Sequence, residues 1–285
     1  MADKRAPSVR SRQLATELRR LRDAARMTGE EAAQRLGWSP SKISRIETAQ
    51  TAPSLPDLRR MLELYGVTGT QYSRLELLGQ TTGQRGWWDA YADALGPEYT
   101  ALIALEAEAE RVRCFAAQMV PGLLQTERYA RAVTRAVLPF VPPGEIERRV
   151  AVRITRQRVL VKERPLRLAV VLDEPLLRRL VGGADVMAEQ LEKLAVMAEQ
   201  PNVTVQVLPL AIGGHPGLAG EFSIVSFADL IAPDVVYLEH LTSEIYEENE
   251  TAVYRHVMAF DRLATLALDT AESAQLLKDV AGTLR

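Results

Sequence analysis

The chain has 285 residues and a formal charge of −2, with 47% apolar and 25% charged residues, a globular composition whose length suggests two domains. One cysteine, Cys114, excludes an internal disulfide framework and points to a reducing compartment, and three histidines (His215, His240, His256) stand at no usual zinc spacing, so no metal or other cofactor is expected. No apolar run reaches the roughly 18 residues of a membrane span, and the N-terminus lacks the apolar core of a signal peptide, so a cytoplasmic protein without a membrane role is expected.

Charge is unevenly spread. Residues 1–80 hold 14 Lys or Arg against 9 Asp or Glu, a balance of +5, and the remainder carries −7. A basic N-terminal third on an acidic body is the electrostatic footprint of a nucleic-acid-binding head.

A first helix is expected over about Ser11 to Arg26, with Leu14, Leu18, Leu21 and Ala25 on one face. The stretch from Thr28 to Glu47, TGEEAAQRLGWSPSKISRIE, organises the rest of the head. Thr28 and Glu31 have capping-box spacing, so a second helix starts there, with Ala32, Ala33 and Leu36 inward. Gly37 supplies a sharp turn and Trp38 fills the angle. Ser39 caps a third helix, Pro40 takes its first position, and Ile43 and Ile46 point inward. Two short helices on a tight turn make a helix-turn-helix. The outer face of the third helix then shows Pro40, Ser41, Lys42, Ser44 and Arg45, groups suited to a DNA groove. A fourth helix, capped by Ser54, runs over 55–65, and a fifth from about Thr70 to a stop at Gly79.

The segment from Gly37 to Glu47 resembles the core of the Xre/Cro-type helix-turn-helix family, and the likeness extends over about residues 11 to 79. The family commonly has Gln where Gly29 stands, a polar residue at Pro40 and Gly at Ala49. The resemblance implies that Arg22 pairs with Glu47 and that the third helix reads double-stranded DNA. On that reading Thr28, Ser39, Pro40, Ser41, Lys42, Ser44 and Arg45 form the DNA surface. Ser39 places the helix N-terminus at a phosphate, Lys42 lies near the backbone, and Ser41 and Arg45 approach base edges. One such head makes a small interface, so a homodimer on a two-fold operator is expected.

Residues 80–86, QTTGQRG, read as a linker, giving domains at 1–79 and 87–285. Beyond Trp87 and Trp88, helices are expected over 97–110, after Thr126, and over 145–162 with five arginines on a solvated face. Strands follow at 166–172, 203–207, 222–227 and 235–238, with 111–119 ambiguous, and helices at 175–180, 187–199, from about 249, and after Asp269. The fold class is therefore α+β: a five-helix head and a mixed α/β domain with a four- or five-stranded sheet.

VPGLLQTERYARA, VLDEPLLRRLVGG, PNVTVQVLP, GGHPG and VVYLEH, in that order, resemble the C-terminal domain of unknown function found in many bacterial Xre-type regulators, over roughly residues 87 to 280. Genes for such regulators often neighbour a gene for a small protein, and some are described as antitoxin-like, so the resemblance implies a small protein partner. Asp173, Glu174, His215, Glu239, His240, Glu244, Glu247 and Glu248 are the polar candidates of this domain. No nucleophile elbow, P-loop, HExxH or GxGxxG accompanies them, so catalysis is not expected. A pocket for a ligand or peptide near His215 and Glu239 is the expectation instead. The chain thus reads as a sequence-specific transcription regulator. The alternatives are an antitoxin-type protein that sequesters a partner and an enzyme with a DNA-binding head.

Overall fold

The computed structural model describes residues 9–81, 87–91, 95–228, 234–241 and 243–285. The chain divides into two compact units, Met1–Asp89 and Ala90–Arg285.

The first unit is helical: α1 (Val9–Ala24), α2 (Gly29–Leu36), α3 (Pro40–Glu47), α4 (Leu55–Leu64) and α5 (Gly69–Thr81). Leu14, Leu18, Ala32, Ile43, Leu58, Met61, Leu62 and Leu75 are almost fully buried in one core. Gly79 is not the stop expected of it. It lies inside α5, where a Cβ would overlap the side chain of fully buried Leu58. Its small size lets α5 approach α4, and the helix runs on into the expected linker at 80 and 81. The rest of that linker, 82–86, lies outside the described residues.

A 3-10 turn at Trp87–Tyr91 spans the boundary at Ala90, and the first regular elements of the second unit are α6 (Pro97–Glu108) and β1 (Arg111–Ala116). Then come a 3-10 turn at Gly122–Leu124, α7 (Glu127–Val137), α8 (Pro143–Arg156), β2 (Arg167–Asp173), α9 (Glu174–Leu177) and α10 (Ala184–Met197). β3 (Val203–Leu208), β4 (Phe222–Ser226), β5 (Val235–Glu239), β6 (Glu244–Glu247), α11 (Glu250–Leu266) and α12 (Thr270–Thr283) complete it. The sheet has six strands, in the order β3-β2-β1-β4-β5-β6. β1, β2 and β3 are parallel, and β4, β5 and β6 continue antiparallel.

Six strands correct the expected four or five. The ambiguous segment at 111–119 is β1, a central strand, and β6 is only four residues with Glu at both ends, a pattern without an apolar run. The helix expected over 145–162 ends as an α-helix at Arg156 and tightens into a 3-10 turn at Gln157–Leu160. The helix expected to reach Leu180 ends at Leu177.

One sheet face packs against α11. Phe115, Val171, Phe222, Ile224 and Val236 form one core with Val253, Phe260 and Leu263 of α11. Alternation sends Cys114, Val170, Val205 and Tyr237 to the opposite face. The β3 edge is closed by the junction of α11 and α12. Val207 N–H donates to Ser273 Oγ at 2.9 Å, and Leu268 N–H donates to Val207 O at 2.9 Å.

Candidate nucleic-acid interface

The head's geometry grows from two caps and a turn. Thr28 Oγ1 accepts from Glu31 N at 3.2 Å, and the Glu31 carboxylate accepts from Thr28 N at 2.8 Å. These reciprocal bonds satisfy two donors at the start of α2. Gly37 adopts φ 71°, a left-handed conformation that reverses the chain without a Cβ penalty. Ser39 Oγ then accepts from Lys42 N at 3.3 Å and opens α3, with Pro40 in its first turn.

Ile43 and Ile46 are buried, so α3 has a fixed rotation about its axis. Ser39, Pro40, Ser41, Ser44 and Arg45 are exposed, as is Thr28 at the mouth of α2. Ser41 Oγ lies 3.1 Å from Ser39 Oγ. Together these residues make an outward face of small polar groups with one long cation, Arg45.

Arg22 and Glu47 hold this face in place. Arg22 Nε and Nη2 donate to the two oxygens of Glu47, each at 2.8 Å, and Nη1 donates to Met27 O at 2.7 Å. The side chains are only 11% and 7% exposed. A two-pronged Arg–carboxylate pair fixes orientation as well as distance. Here it ties the ends of α1 and α3 to the turn before α2. Hydrogen bonding to Glu47 raises the Arg22 pKa further.

Lys42 is engaged differently from the expectation. Its Nζ donates to Asp57 Oδ2 at 2.9 Å and sits 3.8 Å from the Trp38 ring centroid. Burial works against the Asp57 charge, but Lys42 and Ser54 together hold its carboxyl below the usual range. Arg60 reaches the same ring at 5.3 Å and donates to Leu36 O. Asp57 and Arg60 were not singled out by sequence. Only Ser54, the cap of α4, was read there, and that cap is present.

In the second unit, His215 and Glu239 are not brought together. The His215 ring packs edge-on to Phe115, 5.8 Å between centroids, on the α11 face. Glu239 follows Tyr237 by two residues and so projects from the other face, exposed. Asp173 ends β2, and burial raises its carboxyl pKa while His215 opposes that shift. Glu174 accepts from Leu210 N at 2.9 Å and from Arg178 at 3.0 Å. Glu247 accepts from Asn249 N at 2.7 Å. Among the described residues no group of three His, Cys, Asp or Glu is placed to hold a metal ion, and no helix is long and apolar enough to cross a membrane.

Several motif residues have structural reasons. Gln125 donates to Val120 O at 2.6 Å and accepts from Arg153 at 2.9 Å. Gln190 accepts from Thr126 N and donates to Leu124 O, so VPGLLQT is the hydrogen-bonded joint of α7, α8 and α10. Gly217 lies so close to Phe115 that a Cβ would overlap the ring. Arg156, expected on a solvated face, is buried and forks onto Glu106 while donating to Tyr99 at 2.9 Å. Burial opposes its charge, but Glu106 and Tyr99 outweigh that and hold the guanidinium protonated. Cys114 is buried, and burial pushes its thiol up to about 12.

Comparison with protein families agrees with this division. A family model described as helix-turn-helix domain matches residues 13–75, and one described as domain of unknown function (DUF5753) matches residues 99–279. No curated protein and no solved structure matches the chain.

Proposed function

The chain belongs to the family defined by the domain of unknown function DUF5753, joined here to a helix-turn-helix head, and from that pairing we propose a sequence-specific transcription regulator of Xre type. The observation that carries the proposal is the polarity of α3. Its inner face is locked by Ile43, Ile46 and the Arg22–Glu47 fork, and its outer face offers Ser41, Ser44 and Arg45 to solvent. Thr28 and Ser39 flank that face at two helix N-termini, where backbone donors suit phosphate oxygens. Pro40 adds apolar contact. Lys42 is held by Asp57 and supports the face from the side. The protein acts in the cytoplasm as a dimer on a two-fold site, and it works by binding, not catalysis; its one thiol is buried and poorly ionised.

The test is Arg45→Ala. Affinity for the operator falls by about 1–3 kcal/mol and discrimination against random DNA relaxes, as loss of a base-reading arginine requires. An equal loss on operator and random duplex would assign Arg45 to a phosphate and remove it from readout.

A second reading is favoured by one surface. α11 presents Tyr254 and Met258, 63% and 50% exposed and one turn apart, and Leu218 of the Pro216–Ala219 turn is also exposed. Exposed large apolar groups are a feature of protein contact sites. On this reading the DUF5753 domain sequesters a small protein, antitoxin-like, and DNA binding serves autoregulation. Native mass spectrometry of protein drawn from its host distinguishes the two: a partner at fixed ratio supports sequestration, and a bare dimer supports the regulator alone.

A further inference from the structure

The joint of α7, α8 and α10 holds two cations without a counter-charge. Arg153, on α8, donates from Nη1 to Gln125 Oε1 at 2.9 Å. Lys193, on α10, donates from Nζ to Gln125 O and to Gln157 Oε1, each at 2.8 Å. Gln157, one turn beyond Arg153, is fixed in its own right, because its amide donates to Gly122 O at 2.9 Å and to Gln125 O at 2.8 Å. Both cations are therefore drawn to one residue, Gln125, which is buried. The glutamine and backbone oxygens they hold are neutral.

The cations around them are matched. Arg149 meets Glu145 at 2.8 Å, Arg128 meets Glu189 at 2.8 Å, and buried Arg156 forks onto Glu106. Among the described residues neither Arg153 nor Lys193 forms an ion pair. Glu189, whose charge Lys193 feels, is already held by Arg128. Burial, offset in part by Glu189, pulls Lys193 below the usual lysine range. Burial also opposes ionisation of Tyr99, but the Arg156 and Arg153 charges outweigh it and lower the phenol. Positive charge is thus in excess at this joint. It is also partly removed from water, since Arg153, Gln157 and Lys193 are each half-buried.

A charge taken out of water is costly until a counter-charge meets it. The two glutamines orient these cations without cancelling them. Donors remain for a guest: an ammonium has three N–H groups, of which Lys193 uses two, and the Arg153 guanidinium has further N–H groups beyond the one on Gln125. A phosphoryl dianion matches both charges with one compact group, and its oxygens suit the fork of an arginine. We propose that Arg153 and Lys193 bind the dianionic phosphoryl group of a small molecule, or phosphate itself, between α8 and α10, with Gln125 and Gln157 holding both cations in position. As a signal for the DUF5753 domain this rests on the regulator reading; the binding itself does not.

The experiment is calorimetric titration of the full chain, without DNA, at constant ionic strength and about pH 8, where phosphate is a dianion. The probes are inorganic phosphate, glycerol 3-phosphate and dimethyl phosphate, the last a singly charged mimic of a nucleic-acid backbone. Saturable binding of one or both dianions is expected, tighter for glycerol 3-phosphate if the guest is an ester and tighter for phosphate if it is the free ion, with dimethyl phosphate failing to compete. Arg153→Gln weakens that binding about tenfold by removing a charge-assisted contact. Arg153→Lys, which keeps the charge and loses the fork, weakens it severalfold and guards against misfolding of the first variant. Lys193→Met, which keeps the aliphatic stem, also weakens it about tenfold, and its circular dichroism is unchanged. Arg158→Gln, at an exposed arginine nearby in the chain, leaves binding unchanged. No saturable binding of either dianion, equal binding of dimethyl phosphate, unchanged binding in the folded Arg153 and Lys193 variants, or an equal loss in Arg158→Gln overturns the proposal. DNA does not enter the measurement, so its failure leaves the regulator reading standing, and a failed operator experiment leaves this site standing.

Discussion

Arg22 shows how one side chain can hold a reading head together. Its guanidinium satisfies Glu47 and the Met27 carbonyl at once, at 2.7–2.8 Å. Arg22→Ala leaves a mostly buried carboxylate without its partner, so thermal or urea unfolding should show a loss of about 3–5 kcal/mol. An unchanged melting temperature would show that the pair adds nothing to the fold. Gly79 is the complementary case, in which a missing side chain matters. Gly79→Ala forces fully buried Leu58 to move and should destabilise the head by about 1–3 kcal/mol, measured the same way. Ala49 bears on the family comparison directly. It adopts φ 56°, where Gly fits without strain, which explains why Gly commonly stands there in the family it resembles.

At the scale of elements, α2 and α3 were legible because short-range chemistry defines them. A capping box, a left-handed Gly37 and a Ser-Pro start are all local signals, and the structure contains each. β3 was legible by strict alternation of Val203, Val205 and Val207. Elements that depend on distant partners were less so. β1 takes its identity from parallel pairing with β2 and antiparallel pairing with β4, more than a hundred residues away in the chain for Arg111 and Ser226. β6 exists because β5 offers an edge; its own Glu-Ile-Tyr-Glu reads as solvated. The buried Arg156 on α8 was illegible for the same reason, since its partner Glu106 lies fifty residues earlier. The separation of His215 from Glu239 follows from strand parity, which needs the register before it can be read.

At the scale of the whole molecule, the charge division sets the salt response. The first 80 residues carry +5 and the rest −7, so the acidic body opposes the approach of any duplex to the head. At low salt, random DNA should bind residues 1–81 more tightly than the full chain, as read by fluorescence anisotropy. Near 1 M salt, where the screening length is about 3 Å, that difference should vanish. A difference that persists at high salt would point to direct contact and not to charge. The closure of the β3 edge by Leu268 and Ser273 has another outcome, in the order of manufacture. The helical head is complete in sequence by Thr81 and can fold while synthesis continues. The sheet cannot be sealed until α12 has left the ribosome, some two hundred residues later. At about 5–20 residues per second, the nascent protein would spend roughly ten to forty seconds with a finished head and an unfinished body.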